Sequence, residues 1–291
     1  MNLLPLKHEN RAENLRRLQL PGVWKRCQTN IPEATTDDGI DYTEYDWIMG
    51  QAKILKKKLV VVLYAQIPNK KYWRQFYDGT ATPEDVWLRW KVEDADLMHQ
   101  DWKNPNGIYP WLKTPVLDVF EQYIVRSNPG TAFAPDNEPG NTDNKRRPTW
   151  GSSPAGIVHP SFVPFALEVC KLVKAHGFAL ATTAAETEDR PTFDQQFATC
   201  TGSQLSYADY VSVNAYMVRF VFGDTPEAYA AAFWNWIKTN YYVWSKKKVI
   251  VTEFYPFGSE ESALEDACIS AVLKTKPSWC VAAILYDVRI S

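Results

Sequence analysis

Two glutamates stand where apolar runs of the chain give out. Glu138 follows the short run 131–134, inside Pro135-Asp136-Asn137-Glu138-Pro139, and Glu253 follows the β-branched run 249–252. Such runs read as strands, and a strand end is a rigid place from which to present a side chain. Two carboxyl groups about 5–5.5 Å apart can cleave a glycosidic bond with retention. One, protonated, gives its proton to the leaving oxygen; the other, ionised, attacks the anomeric carbon. Taken singly, each glutamate has a plainer use, as the partner of a lysine or arginine. Asp136 and Glu186 are reserve acids, and Asp209 reads as a turn cap.

Other chemistries find less support in the residue pattern. His8, His99, His159 and His176 show no HxxxH or HExxH spacing, so no metal is expected. Cys27, Cys170, Cys200, Cys268 and Cys280 are scattered without a CxxC, which predicts buried, reduced thiols. There is no GxSxG elbow and no DxxDxDxE run, and neither GxGxxG nor GxxxxGK[ST] follows a strand. No cofactor is expected.

An acid pair so far apart in the chain needs a scaffold that brings strand ends together. Tyr45, Ile48, Met49, Ala52 and Leu55 recur at helical spacing and end in three lysines, a charge that suits a helix C-terminus. Residues 59–64 are continuously apolar, as in a strand buried on both faces. Further helices are predicted over 83–98, from Thr114-Pro115, over 162–173 with Gly177 as the stop, from Thr225-Pro226, and over 262–273. Further strands are predicted at 23–27, 131–134, 178–184, 210–214, 249–252 and 281–286.

Strand and helix alternate, which argues for a parallel α/β sheet. An eighth strand, expected between residues 101 and 112, closes a single (β/α)8 TIM barrel with elongated loops on its C-terminal face. An open doubly wound sheet is the alternative. Residues 1–21 read as an N-terminal arm packing on the barrel and 22–291 as the barrel itself. With 23–27 as the first strand and the unseen strand as the third, Glu138 and Glu253 fall on strands four and seven. Both then reach the rim where barrels carry their sites.

Composition narrows the partners. Lys plus Arg is 32 and Asp plus Glu 34, a net charge of −2 that offers nucleic acid or an anionic membrane no general attraction. No uncharged apolar stretch is long enough to span a bilayer. The first residues turn charged too soon for a signal peptide, and compartment and oligomeric state stay open. Aromatic residues reach 14%, with 12 Trp, 15 Tyr and 13 Phe. Many follow the strand at 59–64: Tyr72-Trp73-Arg74-Gln75-Phe76-Tyr77, then Trp87, Trp90, Trp102 and Trp111. Their rings either pave a cleft for a chain of sugars or fill a small core under a long loop.

The order Asn-Glu-Pro, Asn-Ala-Tyr, Val-Thr-Glu-Phe resembles the clan A glycoside hydrolases. Upstream, Trp24, Ile31-Pro32-Glu33, Gly39, Tyr42, Asp46, Ala52 and the run 58–62 are similar to a stretch of some β-galactosidase-like and xylosidase-like members. The resemblance covers most of the chain from about Gly22 to Val288. It implies a (β/α)8 retaining enzyme acting on a β-linked oligo- or polysaccharide, with Glu138 as acid/base and Glu253 as nucleophile. Asn137 then resembles the asparagine that bonds the sugar 2-hydroxyl, and Tyr216 the tyrosine that touches the nucleophile. Arg26 resembles an arginine near that nucleophile, while Trp24 and Trp73 are counted among the substrate-binding residues. Asn214 stands where several families have histidine, and Tyr286 where many have a sugar-stacking tryptophan; both are departures. Endoglycanase-like members are equally in view. A catalytically silent barrel that only binds carbohydrate is the competing expectation, since fold does not dictate function.

Overall fold

Apolar β-branched runs form the centre of the molecule, and amphipathic segments cover them. In the computed structural model, residues 1–4, 6–29, 35–36, 39–63, 116–137, 162–184, 201–218, 225–257 and 262–286 are described. Strands β1 (Trp24–Gln28), β2 (Lys58–Val62), β3 (Ala132–Ala134) and β4 (Ala179–Leu180) make a parallel sheet in chain order. Strands β5 (Tyr210–Val218), β6 (Lys248–Phe257) and β7 (Cys280–Leu285) make a second parallel sheet. Thr35–Thr36 and Gly39–Ile40 pair as a small antiparallel hairpin after β1.

The covering helices are α1 (Arg11–Gln19), α2 (Thr43–Ile54), α3 (Val116–Val125), α4 (Phe162–Ala175), α5 (Pro226–Ile237) and α6 (Ser262–Lys274). Their stops and starts follow local chemistry. Gly177 takes φ +74° just past α4, a backbone conformation open to glycine without strain. The Thr225 hydroxyl accepts from the Ala228 amide at 3.2 Å, with Pro226 opening α5.

Period-two alternation sorts the side chains into layers. On β2, Leu59 and Val61, and just after it Leu63, pack outward with Phe133, Leu180, Phe120, Phe165 and Val169 beneath the helices. Val60 turns the other way, with Ile250, Ala282 and Ile284. In the second sheet Val211, Val213, Val249 and Val251 meet Phe233, Ile237 and Val272. Burying each such side chain is worth about 1.5–3 kcal/mol, and these layers hold the strand ends in place. Cys27, Cys170, Cys268 and Cys280 are buried in the same layers; burial pushes the Cys27, Cys170 and Cys280 thiols up to about 12. Cys200 lies outside the described residues.

The expected strand between 101 and 112 also lies outside them, but the place meant for it is taken. Val60, Val61 and Val62 pair directly with Ala132, Phe133 and Ala134, so no strand intervenes between β2 and β3. The first residues of the chain do more than pack against the sheet. Asn2 forms a parallel bridge with Arg26 on β1 and donates its amide to Leu285 O on β7 at 3.0 Å. Leu3 N donates to Arg26 O at 2.8 Å. Residues 2–3 thus lie between β1 and β7. The arm is held there from α1: Asn14 Oδ1 accepts from Leu4 N at 2.7 Å, and buried Arg17 donates to Asn2 O at 2.9 Å.

The two sheets also meet at their other edge. Ala181 bridges Tyr210 in parallel, and Thr182 N donates to Tyr210 O at 3.1 Å. The Asp209 carboxylate accepts from Leu180 N at 2.8 Å and pairs with Lys174 at 2.9 Å, so it ties the residue before β5 to β4 and α4 and does not cap a turn. The strand expected over 178–184 is reduced to Ala179–Leu180, with the bridges of Ala181 and Ala184 continuing its pairing.

One buried cation sits at the start of β1. Lys25 is fully enclosed and donates to the carbonyls of Leu20 at 3.0 Å and Pro21 at 3.1 Å; Lys57 donates to Leu20 at 3.1 Å and Gly22 at 2.9 Å. Burial, then the Lys57 charge, lowers Lys25 from 10.5 to about 8. The folded chain therefore releases this proton near pH 8, whereas the unfolded chain keeps it to the ordinary lysine value. The contribution of this group to stability rises with pH across that window. Lys25→Met should flatten that part of the profile. Urea midpoints for both proteins between about pH 8 and 10.5 check it, and parallel profiles would overturn it.

Candidate active site

The site begins with a fault in the β5–β6 ladder. On β5, Val211, Val213 and Ala215 pack outward at regular spacing, leaving Ser212 and Asn214 for the inner face. On β6, Val249, Val251 and then Phe254 pack outward, a step of three in place of two. The register shifts there: Val213 pairs with Val251, and Asn214 with Glu253. A β-bulge of this kind re-aims a side chain. Without the extra residue, Glu253 would share the outward parity of Val249 and Val251. With it, Glu253 faces inward and Phe254 keeps its place under the helices.

Glu253 then meets Arg26. The guanidinium Nη1 stands 2.6 Å from Glu253 Oε1, with both residues almost enclosed, at 3% and 4% exposure. The strands that carry them belong to different sheets, so this ion pair spans the interior between them. An arginine at this distance favours the ionised carboxylate by direct attraction and a charge-assisted hydrogen bond. Two further guanidinium nitrogens, Nε and Nη2, are buried without a hydrogen-bond partner among the described residues.

A second cross-sheet link runs through amides. Asn214, fully buried on β5, donates from Nδ2 to Asn137 Oδ1 at 3.0 Å. The Thr252 hydroxyl lies 2.8 Å from Asn214 Oδ1 and 3.1 Å from Val213 O. Asn137 is half-buried beyond the end of β3, where its backbone bridges Ala184 and its amide donates to Asp136 Oδ1 at 2.7 Å. Asp136 is thus tied to the backbone at this turn.

Further out, the Tyr216 and Tyr286 rings meet edge to face at 5.8 Å, and Tyr286 N donates to Phe254 O at 3.0 Å. Arg26, Glu253, Asn214, Asn137, Tyr216 and Tyr286 therefore gather toward the C-terminal ends of the parallel strands. Trp24 does not join them. It opens β1 opposite Lys58, with its ring edge-on to Tyr210 at 6.3 Å and the Lys58 ammonium 5.5 Å from its centroid. As the first residue of a parallel strand it lies toward the opposite ends of the strands from these residues. Glu138, Trp73 and Glu186 lie outside the described residues.

Residue-by-residue reading missed Thr252 and the bulge. The signal was present in the spacing Val249, Val251, Phe254, which breaks period two just where Thr252 and Glu253 stand. Among the described residues, no group of His, Cys, Asp and Glu is arranged to hold a metal ion, and no helix is long and apolar enough to cross a membrane.

No protein-family model matches the sequence, and no curated sequence does. Solved structures do resemble the fold. A β-glucosidase designated 1317 aligns at a TM-score of 0.57 and 12% identity, over 94% of this chain and 75% of that one. The β-glycosidase BGL167 aligns at 0.57 and 11% identity, over 97% and 76%. A GH128 (subgroup II) endo-β-1,3-glucanase from Sorangium cellulosum aligns at 0.50 and 14%, over 94% and 82%. The chain spans 63% of the length of an endo-β-1,4-mannanase from Thermotoga petrophila, at a TM-score of 0.47. At these identities the likeness is one of α/β fold with parallel strands.

Proposed function

We propose that this chain is a retaining glycoside hydrolase acting on a β-linked oligo- or polysaccharide. Glu253 is the nucleophile and Glu138 the acid/base. The observation that carries this reading is the enclosed Arg26–Glu253 pair, 2.6 Å apart across the interior between the two sheets, with the half-buried Asn137 beyond the end of β3. The fold neighbours, themselves named as glycosidases and glucanases, support the same kind of enzyme.

The two sheets close into one (β/α)8 barrel in this reading. Hydrogen bonds at both edges support it: Thr182 N to Tyr210 O on one side, and Leu3 N to Arg26 O with Asn2 N to Leu285 O on the other. Residues 2–3 then act as the first stave. Counted from there, Glu138 follows the fourth strand and Glu253 lies on the seventh.

The reaction proceeds in two displacements. The Glu253 carboxylate, held ionised by Arg26, attacks the anomeric carbon while Glu138 gives its proton to the departing oxygen. A glycosyl ester forms on Glu253. Glu138, now a carboxylate, takes a proton from water as the water oxygen attacks the same carbon, and the ester bond to Glu253 breaks. Asn137, next to Glu138, bonds the sugar beside the reacting carbon, and Tyr216 and Tyr286 flank it.

The test is a mass-spectrometric search for a trapped ester. Full-length protein is incubated with a panel of activated 2-deoxy-2-fluoro-β-glycosides and digested. A label on the peptide carrying Glu253 is the expected result. Label on another residue, or binding of polysaccharides with no turnover of any, would overturn the reading.

A further inference from the structure

The amide chain below Asn137 has a polarity, and one hydroxyl proton sets it. The Thr252 hydroxyl has a single hydrogen and two acceptors within reach, Asn214 Oδ1 at 2.8 Å and Val213 O at 3.1 Å. Each choice propagates. If the proton goes to Asn214 Oδ1, the Asn214 NH2 group must face Asn137 and donate to its Oδ1. The NH2 group of Asn137 is then turned toward the rim. If the proton goes to Val213 O, Asn214 must flip so that its NH2 donates to the Thr252 oxygen. Its Oδ1 then requires the Asn137 NH2, and Asn137 shows the rim an acceptor. Amides have one donor end and one acceptor end, so among these three side chains the bonds run consistently in one direction or the other. A buried unsatisfied member would be costly, which makes the chain a two-state device.

We infer that Thr252 is a positioning residue that holds this relay in the first state, so that Asn137 offers its NH2 group to an oxygen of the bound sugar. The shorter of the two hydroxyl contacts lies on that branch, and the Asn214 Nδ2 to Asn137 Oδ1 bond of 3.0 Å agrees with it. Asn214 and Thr252 are themselves 0% and 1% exposed. In this inference they act through Asn137. The inference deepens the proposed function and rests on it for the identity of the ligand.

The bulge is what makes the relay possible. It places Thr252 and Glu253 one after the other on the inner side, so one strand supplies both the carboxylate and the hydroxyl that orients a neighbouring strand's amide. Asn137 and Asn214 come from strands separated by β4, and the bond between them fixes the spacing of the rim at that point.

Side-chain amide hydrogen exchange in the full-length protein tests the inference without any substrate. Asn137→Ala and Asn214→Ala serve only to assign the two NH2 signals. In the wild type the Asn214 protons should be protected, and the Asn137 protons should exchange at least about tenfold faster, as expected for a bonded and an outward-facing group. Thr252→Val should shorten the Asn214 protection by about tenfold, and Thr252→Ser should restore it. Equal protection of both amides would show the opposite polarity and overturn the inference, as would unchanged exchange in Thr252→Val. If the valine variant does not fold, the wild-type and serine patterns still decide. A kinetic arm uses 4-nitrophenyl β-D-glucoside and its 2-deoxy counterpart. Thr252→Val should lower kcat/KM for the first about tenfold more than for the second, whereas a merely structural loss lowers both alike. A wild type that hydrolyses neither, nor any polysaccharide, counts against the glycosidase reading; the exchange pattern judges the relay separately.

Discussion

Arg26→Met should lower the stability of the protein by about 3–5 kcal/mol. The substitution keeps most of the side-chain volume and removes the charge facing Glu253. That carboxylate would then sit almost enclosed, without the cation 2.6 Å away that compensates its lost hydration. The pair is not itself a strong source of stability. Desolvation of both ions offsets much of their attraction, and Nε and Nη2 of Arg26 have no partner among the described residues. A double variant with Met at 26 and Leu at 253 should therefore recover a large part of the single variant's loss. Urea midpoints of the four proteins close the cycle. A single variant within about 0.5 kcal/mol of wild type would mean that the pair is well solvated, contrary to its burial. Recovery in the double variant would identify the pair as a group kept for chemistry at some expense of stability.

Glu253→Gln should remove turnover by about a thousandfold or more, equivalent to about 4 kcal/mol of barrier. The amide can still accept a hydrogen bond from Arg26, so the fold should survive better than with Arg26→Met, but an amide cannot attack the anomeric carbon. Glu253→Ala gives a sharper answer. With azide as an external nucleophile, the small anion attacks from the vacated face, the aryloxide leaves, and an α-glycosyl azide accumulates from an aryl β-glycoside. That product is expected only if Glu253 is the nucleophile. Release of β-configured product at the wild-type rate would remove it from the mechanism.

The Arg26–Glu253 pair shows how far sequence reading reaches. Both residues could be named from the chain, and the family resemblance implied that they lie near each other; the residue pattern by itself did not. Arg26 lies on β1 and Glu253 on β6, in different sheets, and the inward direction of Glu253 depends on a bulge that shifts its parity by one residue. The place of the first residues is hidden from the sequence for a related reason. Residues 2–3 are too short to show any periodicity, and their place between β1 and β7 is set by backbone hydrogen bonds to Arg26 and Leu285, to which sequence patterns are blind.

Local chemistry set the alternation of strands and helices, their boundaries at Thr225-Pro226 and Gly177, and the side-chain types carried on the strands. These are local quantities, written in period two, period 3.6 and the conformational limits of proline and glycine. The tertiary structure alone decided which side chains share the interior. It brought arginine to carboxylate and amide to amide, and it sent Trp24 toward the opposite ends of the strands. Those outcomes depend on register between strands distant in the chain, and a slip of one residue would turn each of them to the opposite face.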